Sequence, residues 1–147
     1  VDEAVAAQCA EAVGLMDRMR DLTVEYIKTR KQFGVAIGSF QALQHRASDM
    51  VVAIEQARSM ACYATMMAAS DDPAERSQAV SAAKVQVARS GRFVGQQSIQ
   101  LHGGNGMTME YSVGHFFKRM TMIDQLFGDA DHHLAKVAAG DSLFAAA

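Results

Sequence analysis

The sequence is poor in the residues that interrupt helices or cross-link chains. Its 147 residues include one proline, Pro73, and two cysteines, Cys9 and Cys62. The cysteines lie far apart in apolar settings, which excludes a disulfide scaffold. They read as buried small hydrophobes in a reducing compartment. No apolar run approaches the roughly 18–20 residues of a membrane span, so no membrane insertion is expected. Basic residues are not in excess: 14 Lys and Arg against 16 Asp and Glu give a net charge of −2. Nothing is therefore available to neutralise a phosphate backbone, and nucleic acid is excluded as a partner. The start, Val1-Asp2-Glu3, has neither the basic nor the apolar region of a secretory signal, so a cytoplasmic location is expected. That the chain begins without methionine reads as a sign that it has been cut. No His-x-x-x-His or Cys-x-x-Cys pair is present, so no metal site is expected, and no Gly-x-Ser-x-Gly elbow marks a nucleophile.

What is present is a soluble, helix-forming composition. Half of the residues are hydrophobic and a fifth charged, the mean hydropathy is −0.01, and alanine alone supplies 26 residues. The length suits a single domain over 1–147 with a core of its own. Val5, Cys9, Ala12, Met16, Met19, Thr23 and Tyr26 recur every three to four residues and predict a helix from Asp2 to Arg30. After a loop over Lys31–Ser39, with Ser39 as a cap, the stripe from Leu43 through Met50, Ile54, Ala57, Ala61 and Ala64 to Ala68 predicts a second helix over Phe40–Ser70. Asp72-Pro73 opens a third, Ala74–Leu101, in which Gly91 and Gly95 provide for close helix approach. Two shorter helices are predicted over Tyr111–Thr121 and Asp129–Ala139. The connections are short, so the pattern is that of an antiparallel bundle.

Two loops carry chemistry. Arg30-Lys-Gln-Phe33-Gly34, followed by Phe40-Gln41, gathers a guanidinium, an aromatic and an amide at a helix end, which suits a nucleotide-type ligand. The same residues also serve a helix terminus, with Arg30 on the last carbonyls and Phe33 as a staple. Gln100-Leu-His-Gly103-Gly104-Asn-Gly106 exposes bare backbone N–H groups that can cradle a phosphate. It is neither a Walker loop nor a dinucleotide fingerprint, and a helix-ending turn is the alternative. His132 and His133 are adjacent and do not share a helix face, so they read as exposed residues behind an Asp129 cap.

The two loops together, with Ala12-Val-Gly-Leu15 at its distance ahead of Arg30, resemble the C-terminal domain of flavin-dependent acyl-CoA dehydrogenases over essentially the whole chain. The resemblance implies an all-α, up-and-down antiparallel four-helix bundle. It also implies that the chain is one part of a longer, three-domain protein, packed with other subunits in a homotetramer or a heteromeric assembly. FAD is the implied cofactor, held at a subunit boundary. Arg30 would contact the diphosphate, Phe33 would pack on the cofactor and Gln41 would hydrogen-bond it. Gln100, Gly103 and Gly104 would line the ADP portion, and Asp129 falls where the family contacts FAD.

In the family reaction an acyl-CoA thioester becomes the 2,3-enoyl-CoA. A carboxylate takes a proton from Cα while a hydride leaves Cβ for the flavin, and an electron-transfer acceptor reoxidises the flavin. The two positions from which family members supply that base are occupied here by Phe127 and Ala4, and neither side chain accepts a proton. Glu3 is one residue from the second position and so rotated by about 100° around the helix. Gly106-Met-Thr-Met-Glu110-Tyr111 and Phe127-Gly-Asp-Ala-Asp-His-His133 resemble the small-subunit type of bacterial acyl-CoA dehydrogenase, which works beside a larger partner. The alternative this raises is a non-catalytic assembly subunit whose base has been lost.

Overall fold

The apolar stripes become the inner faces of three long helices in the computed structural model, which describes residues 1–140. Helix α1 spans Asp2–Thr29, α2 spans Gln41–Met67 and α3 spans Pro73–His102. Along α1, Val5, Cys9, Ala12, Met16, Met19 and Thr23 are buried, and in α2 Met50, Ile54, Ala57, Ala61 and Ala64 are. Asp72 caps α3 by accepting from Ala74 N at 2.8 Å and Glu75 N at 3.3 Å, with Pro73 in the first turn, where its missing N–H costs nothing. Helix α3 is buried on several faces, because α1, α2 and the last two helices of the described residues all pack against it.

Those last helices are α4, Val113–Gln125, and α5, Ala130–Ala139. They run back along α3 in one line. A Cβ on Gly95 would enter the Phe117 ring, one on Gly91 would enter Met120, and further down His133 meets Ser81. The bundle is thus up-down-up-down, its fourth member broken by a turn at 126–129. Helices α1 and α2 are tied laterally along their lengths by Arg58–Asp17 at 2.8 Å, and α4 to α1 by Arg119–Glu11 at 2.7 Å.

Several expectations change. The loop after α1 contains a hairpin, β1 (Lys31–Gln32) paired antiparallel with β2 (Val35–Ala36), and then a 3₁₀ turn over Ile37–Ser39. Ser39 does not cap α2. Its hydroxyl donates back to Ala36 O at 2.7 Å, and Phe40 holds the cap position without a side-chain bond. Helix α2 stops at Met67, while α4 begins later than predicted and extends past Thr121, because Ile123 continues its buried stripe beyond Met120. Cys62 is exposed: it sits one residue off the Ala57–Ala61–Ala64 stripe, about 100° round the helix. His133 is buried, not exposed, and is the buried residue of α5. Asp129 does cap α5, accepting from His132 N at 2.9 Å.

Candidate functional site

The C-terminal end of α1, the hairpin, the start of α2 and the C-terminal end of α3 enclose a cavity of about 370 Å³. Among its lining residues are Arg30, Phe33, Gln100, Gly103 and Gly104, drawn from both loops that the sequence singles out. They arrive by different local routes. Arg30 is the C-cap residue of α1 and leaves the helix in extended conformation at φ −69°, ψ 123°. Phe33 and Gly34 form the two-residue hairpin turn, with φ of 55° and 82°. Two positive φ values give the primed turn whose twist matches a hairpin, although phenylalanine is an unusual occupant of it. The turn leaves the Phe33 ring 90% exposed, edge-on to Phe40 with centroids 6.2 Å apart.

The glycine run divides into structural and open positions. A Cβ on Gly106 would lie 2.8 Å from Ile99 O, so the fold itself requires glycine there. Gly103 has φ +58°, which favours glycine for its backbone. At Gly104 neither reason applies: no atom lies within 4 Å of where its Cβ would be. The bare backbone at Gly104 faces open space on a cavity wall, as close approach by a ligand requires.

The wall also includes a group, Tyr26, His102 and Asn105, that the sequence reading did not assign to the site. The Tyr26 and His102 rings stack at 4.4 Å, Tyr111 meets both edge-on, and Asn105 donates to the Tyr26 hydroxyl at 2.9 Å. His102 Nδ1 is 2.8 Å from Ser98 O. A carbonyl only accepts, so Nδ1 carries the proton and Nε2 keeps its lone pair in the neutral ring. Burial pushes the His102 pKa down against the opposing effect of the Ser98 carbonyl, which keeps the ring neutral. The signal in the sequence was the placement of a tyrosine on the last turn of an otherwise apolar stripe. No carboxylate lines the cavity, and among the described residues Arg30 has no ion-pair partner. The site is thus an open, uncompensated guanidinium beside bare backbone and aromatic faces, a set suited to a phosphate-bearing, ring-containing ligand.

The sequence profile described as "Acyl-CoA dehydrogenase, C-terminal domain" matches residues 3–140. This chain belongs to the acyl-CoA dehydrogenase family. It is 41% identical over 122 residues to the acyl-CoA dehydrogenase IpdE2 of Mycobacterium tuberculosis, covering 80% of this chain and 35% of that protein. Among solved structures, the ChsE4-ChsE5 complex from Mycobacterium tuberculosis matches with a TM-score of 0.85 at 26% identity, over 93% of this chain and 37% of the other. PigA with FAD and proline matches with a TM-score of 0.82 at 28% identity, over 92% and 35%. The chain spans about a fifth to two fifths of the length of the curated relatives it matches.

Other positions that the acyl-CoA dehydrogenase resemblance implicates lie outside the cavity. Gln41 is exposed on the first turn of α2, next to the lining residue Phe40. Asp129 caps α5 beside the N-terminal half of α3, roughly 30 Å along that helix from Gly103 at 1.5 Å per residue. Ala4 and Glu3 are in the first turn of α1, on the order of 40 Å from Arg30 by the same rise, with Ala4 half-buried and Glu3 exposed. Phe127 is 51% exposed and left-handed at φ 61°. Among the described residues no cluster of His, Cys, Asp and Glu is arranged to hold a metal, and no helix is long and apolar enough to cross a membrane.

Proposed function

We propose that this chain is the C-terminal domain of a longer, three-domain FAD-dependent acyl-CoA dehydrogenase that oxidises an acyl-CoA thioester to the 2,3-enoyl-CoA in the cytoplasm. Its cavity supplies one wall of an FAD site completed by a neighbouring subunit, with an electron-transfer acceptor downstream. The observation that carries this reading is the open backbone at Gly104 in the same cavity lining as Arg30, which has no ion-pair partner among the described residues. Arg30 would hold the diphosphate, Gly103 and Gly104 would approach the ADP portion with Gln100, Phe33 would cover the cofactor, and Gln41 would add a polar contact; Asp129, about 30 Å along α3, would reach a flavin only at a separate site. When bound, the flavin supplies the hydride acceptor. What the chain itself supplies is charge and shape: a fixed cation, amide donors and two exposed aromatic edges. The test is FAD retention through gel filtration by the full-length protein with its partner subunit. Retention that falls on Arg30→Ala supports the reading, and a complete assembly that never retains FAD refutes it.

A second reading is favoured by Phe127, whose phenyl ring stands at one family base position while Ala4 stands at the other. On this reading the subunit assembles and completes a partner's site without abstracting a proton itself. The solved match to a two-component complex agrees with such an arrangement. Activity of the unmodified pair that disappears with Arg30→Ala identifies a shared catalytic site. Activity that arises only on Phe127→Glu identifies a lost base.

A further inference from the structure

We infer that Lys84, together with Ser81 and His133, is a positioning device that locks the turn over 126–129 and so fixes how the Phe127 ring is presented. The inference rests on the reading above, that Phe127 stands at a family base position, for its functional consequence. Its mechanical content stands on geometry alone.

The turn needs holding. Phe127 and Gly128 have φ of 61° and 102°, and the left-handed region is unfavourable for a residue with a side chain. Lys84 is 1% exposed, yet its Nζ donates to Ile123 O, to Leu126 O at 3.1 Å and to Gln8 Oε1 at 3.4 Å. All three ammonium protons are therefore used, and two of them go to carbonyls at the C-terminal end of α4, where the helix dipole favours a cation. A surface helix end would be satisfied by water, whereas burying a lysine there is costly. Burial does press the Lys84 pKa down, opposed by the nearby Cys9 and Asp124. Asp124 in turn receives Arg92 at 3.0 Å on one oxygen, and its other oxygen has no partner among the described residues.

The second fastening comes from α5. His133 is 2% exposed, with Nε2 3.1 Å from Phe127 O and Nδ1 3.0 Å from Ser81 Oγ. The carbonyl only accepts, so Nε2 donates to it and the Ser81 hydroxyl donates to Nδ1. Two independent polar bridges from the same stretch of α3 thus end on consecutive carbonyls, Leu126 and Phe127. With its backbone fixed in this way, the Phe127 ring is held half-exposed.

The test uses the full-length, flavin-loaded protein with its partner, carrying Lys84→Met, Lys84→Arg or Ser81→Ala. Hydrogen exchange of the Leu126 and His132 amides, which flank the turn and donate to Met122 O and Asp129 Oδ1, should accelerate at least tenfold in Lys84→Met, with exchange at 103–106 unchanged. The Michaelis constant for acyl-CoA should rise several-fold at unchanged FAD content, and Lys84→Arg should restore part of it. A Lys84→Met protein that melts at lower temperature but keeps parental exchange at Leu126 and His132 overturns the inference, as does one that keeps the parental Michaelis constant despite faster exchange. If Lys84→Met does not fold, Ser81→Ala removes only the hydroxyl on His133 and is judged by the same two measurements. Absence of flavin from the parent assembly refutes the functional reading, while the exchange measurement still decides the lock.

Discussion

Replacing Phe33 by asparagine should make the bundle more stable and weaken the proposed FAD site. Phe33 occupies the first position of the hairpin turn at φ 55°. A left-handed conformation costs a residue with a Cβ about 1–2 kcal/mol, and asparagine is among the few side chains that visit it routinely. The variant recovers on the order of 1 kcal/mol of that strain and creates Asn-Gly, the preferred sequence for this turn. Against this stands the edge-on contact with Phe40 at 6.2 Å, which at a 90% exposed ring sits at the low end of the roughly 0.5–1.5 kcal/mol seen for aromatic pairs. The net gain is about 0.5 kcal/mol, or ~1–2 °C in melting temperature for a chain of this size. An aromatic ring packed on a ligand contributes a comparable ~0.5–1.5 kcal/mol, so losing it should weaken FAD retention roughly 2- to 10-fold. Calorimetry on the 147-residue chain and FAD titration of the full assembly measure the two halves. A variant that melts lower than the parent, or that binds FAD as tightly, refutes the reasoning.

Gly104→Ala should leave the melting temperature of the chain within about 1–2 °C of the parent, since its Cβ meets no atom, and yet reduce FAD retention. Gly106→Ala, by contrast, should destabilise by roughly 1–3 kcal/mol in a denaturant titration, because its Cβ falls 2.8 Å from Ile99 O and backbone must shift. Gly95→Ala should cost a similar amount by displacing Phe117 and prising α4 from α3. Burial holds the pKa of both His102 and His133 below the usual imidazole value near 6.5. The unfolded chain therefore binds more protons in that window, so stability is full above pH 6.5 and falls as the pH drops below it. Urea midpoints at pH 7.5 and 5.5 should show that fall, and it should shrink in the double variant His102→Gln, His133→Gln.

The long elements were legible because their causes are local. Asp72-Pro73 punctuates the chain as helix-start chemistry dictates, and the three-to-four spacing of Val5 through Thr23 chooses the inner face of α1. The cavity was legible for another reason: Arg30 and Gly104 lie at the ends of helices whose lengths and antiparallel order bring those ends together. What escaped was set by tertiary context. The hairpin at Phe33-Gly34 places phenylalanine where turn preferences call for asparagine or aspartate, so no local rule marks it. His133 read as surface because its neighbours are polar, and its burial follows from carbonyls that only the folded turn presents. Tyr26 read as ordinary core, since nothing in its own segment announces His102.

The central helix has a consequence of its own. Lys84 and Gly103 are nineteen residues apart on one uninterrupted rod, so α3 works as a gauge that sets both distance and angle between the two ends of the bundle. Inserting a single residue between them would lengthen the rod by only about 1.5 Å but turn the glycine run about 100° away from Arg30. Inserting seven would bring the face back to within ~20° while moving it some 10 Å too far. Neither change repairs the other error, so tolerance to length change in this protein should concentrate in the 68–72 connection and be lost between Lys84 and Gly103.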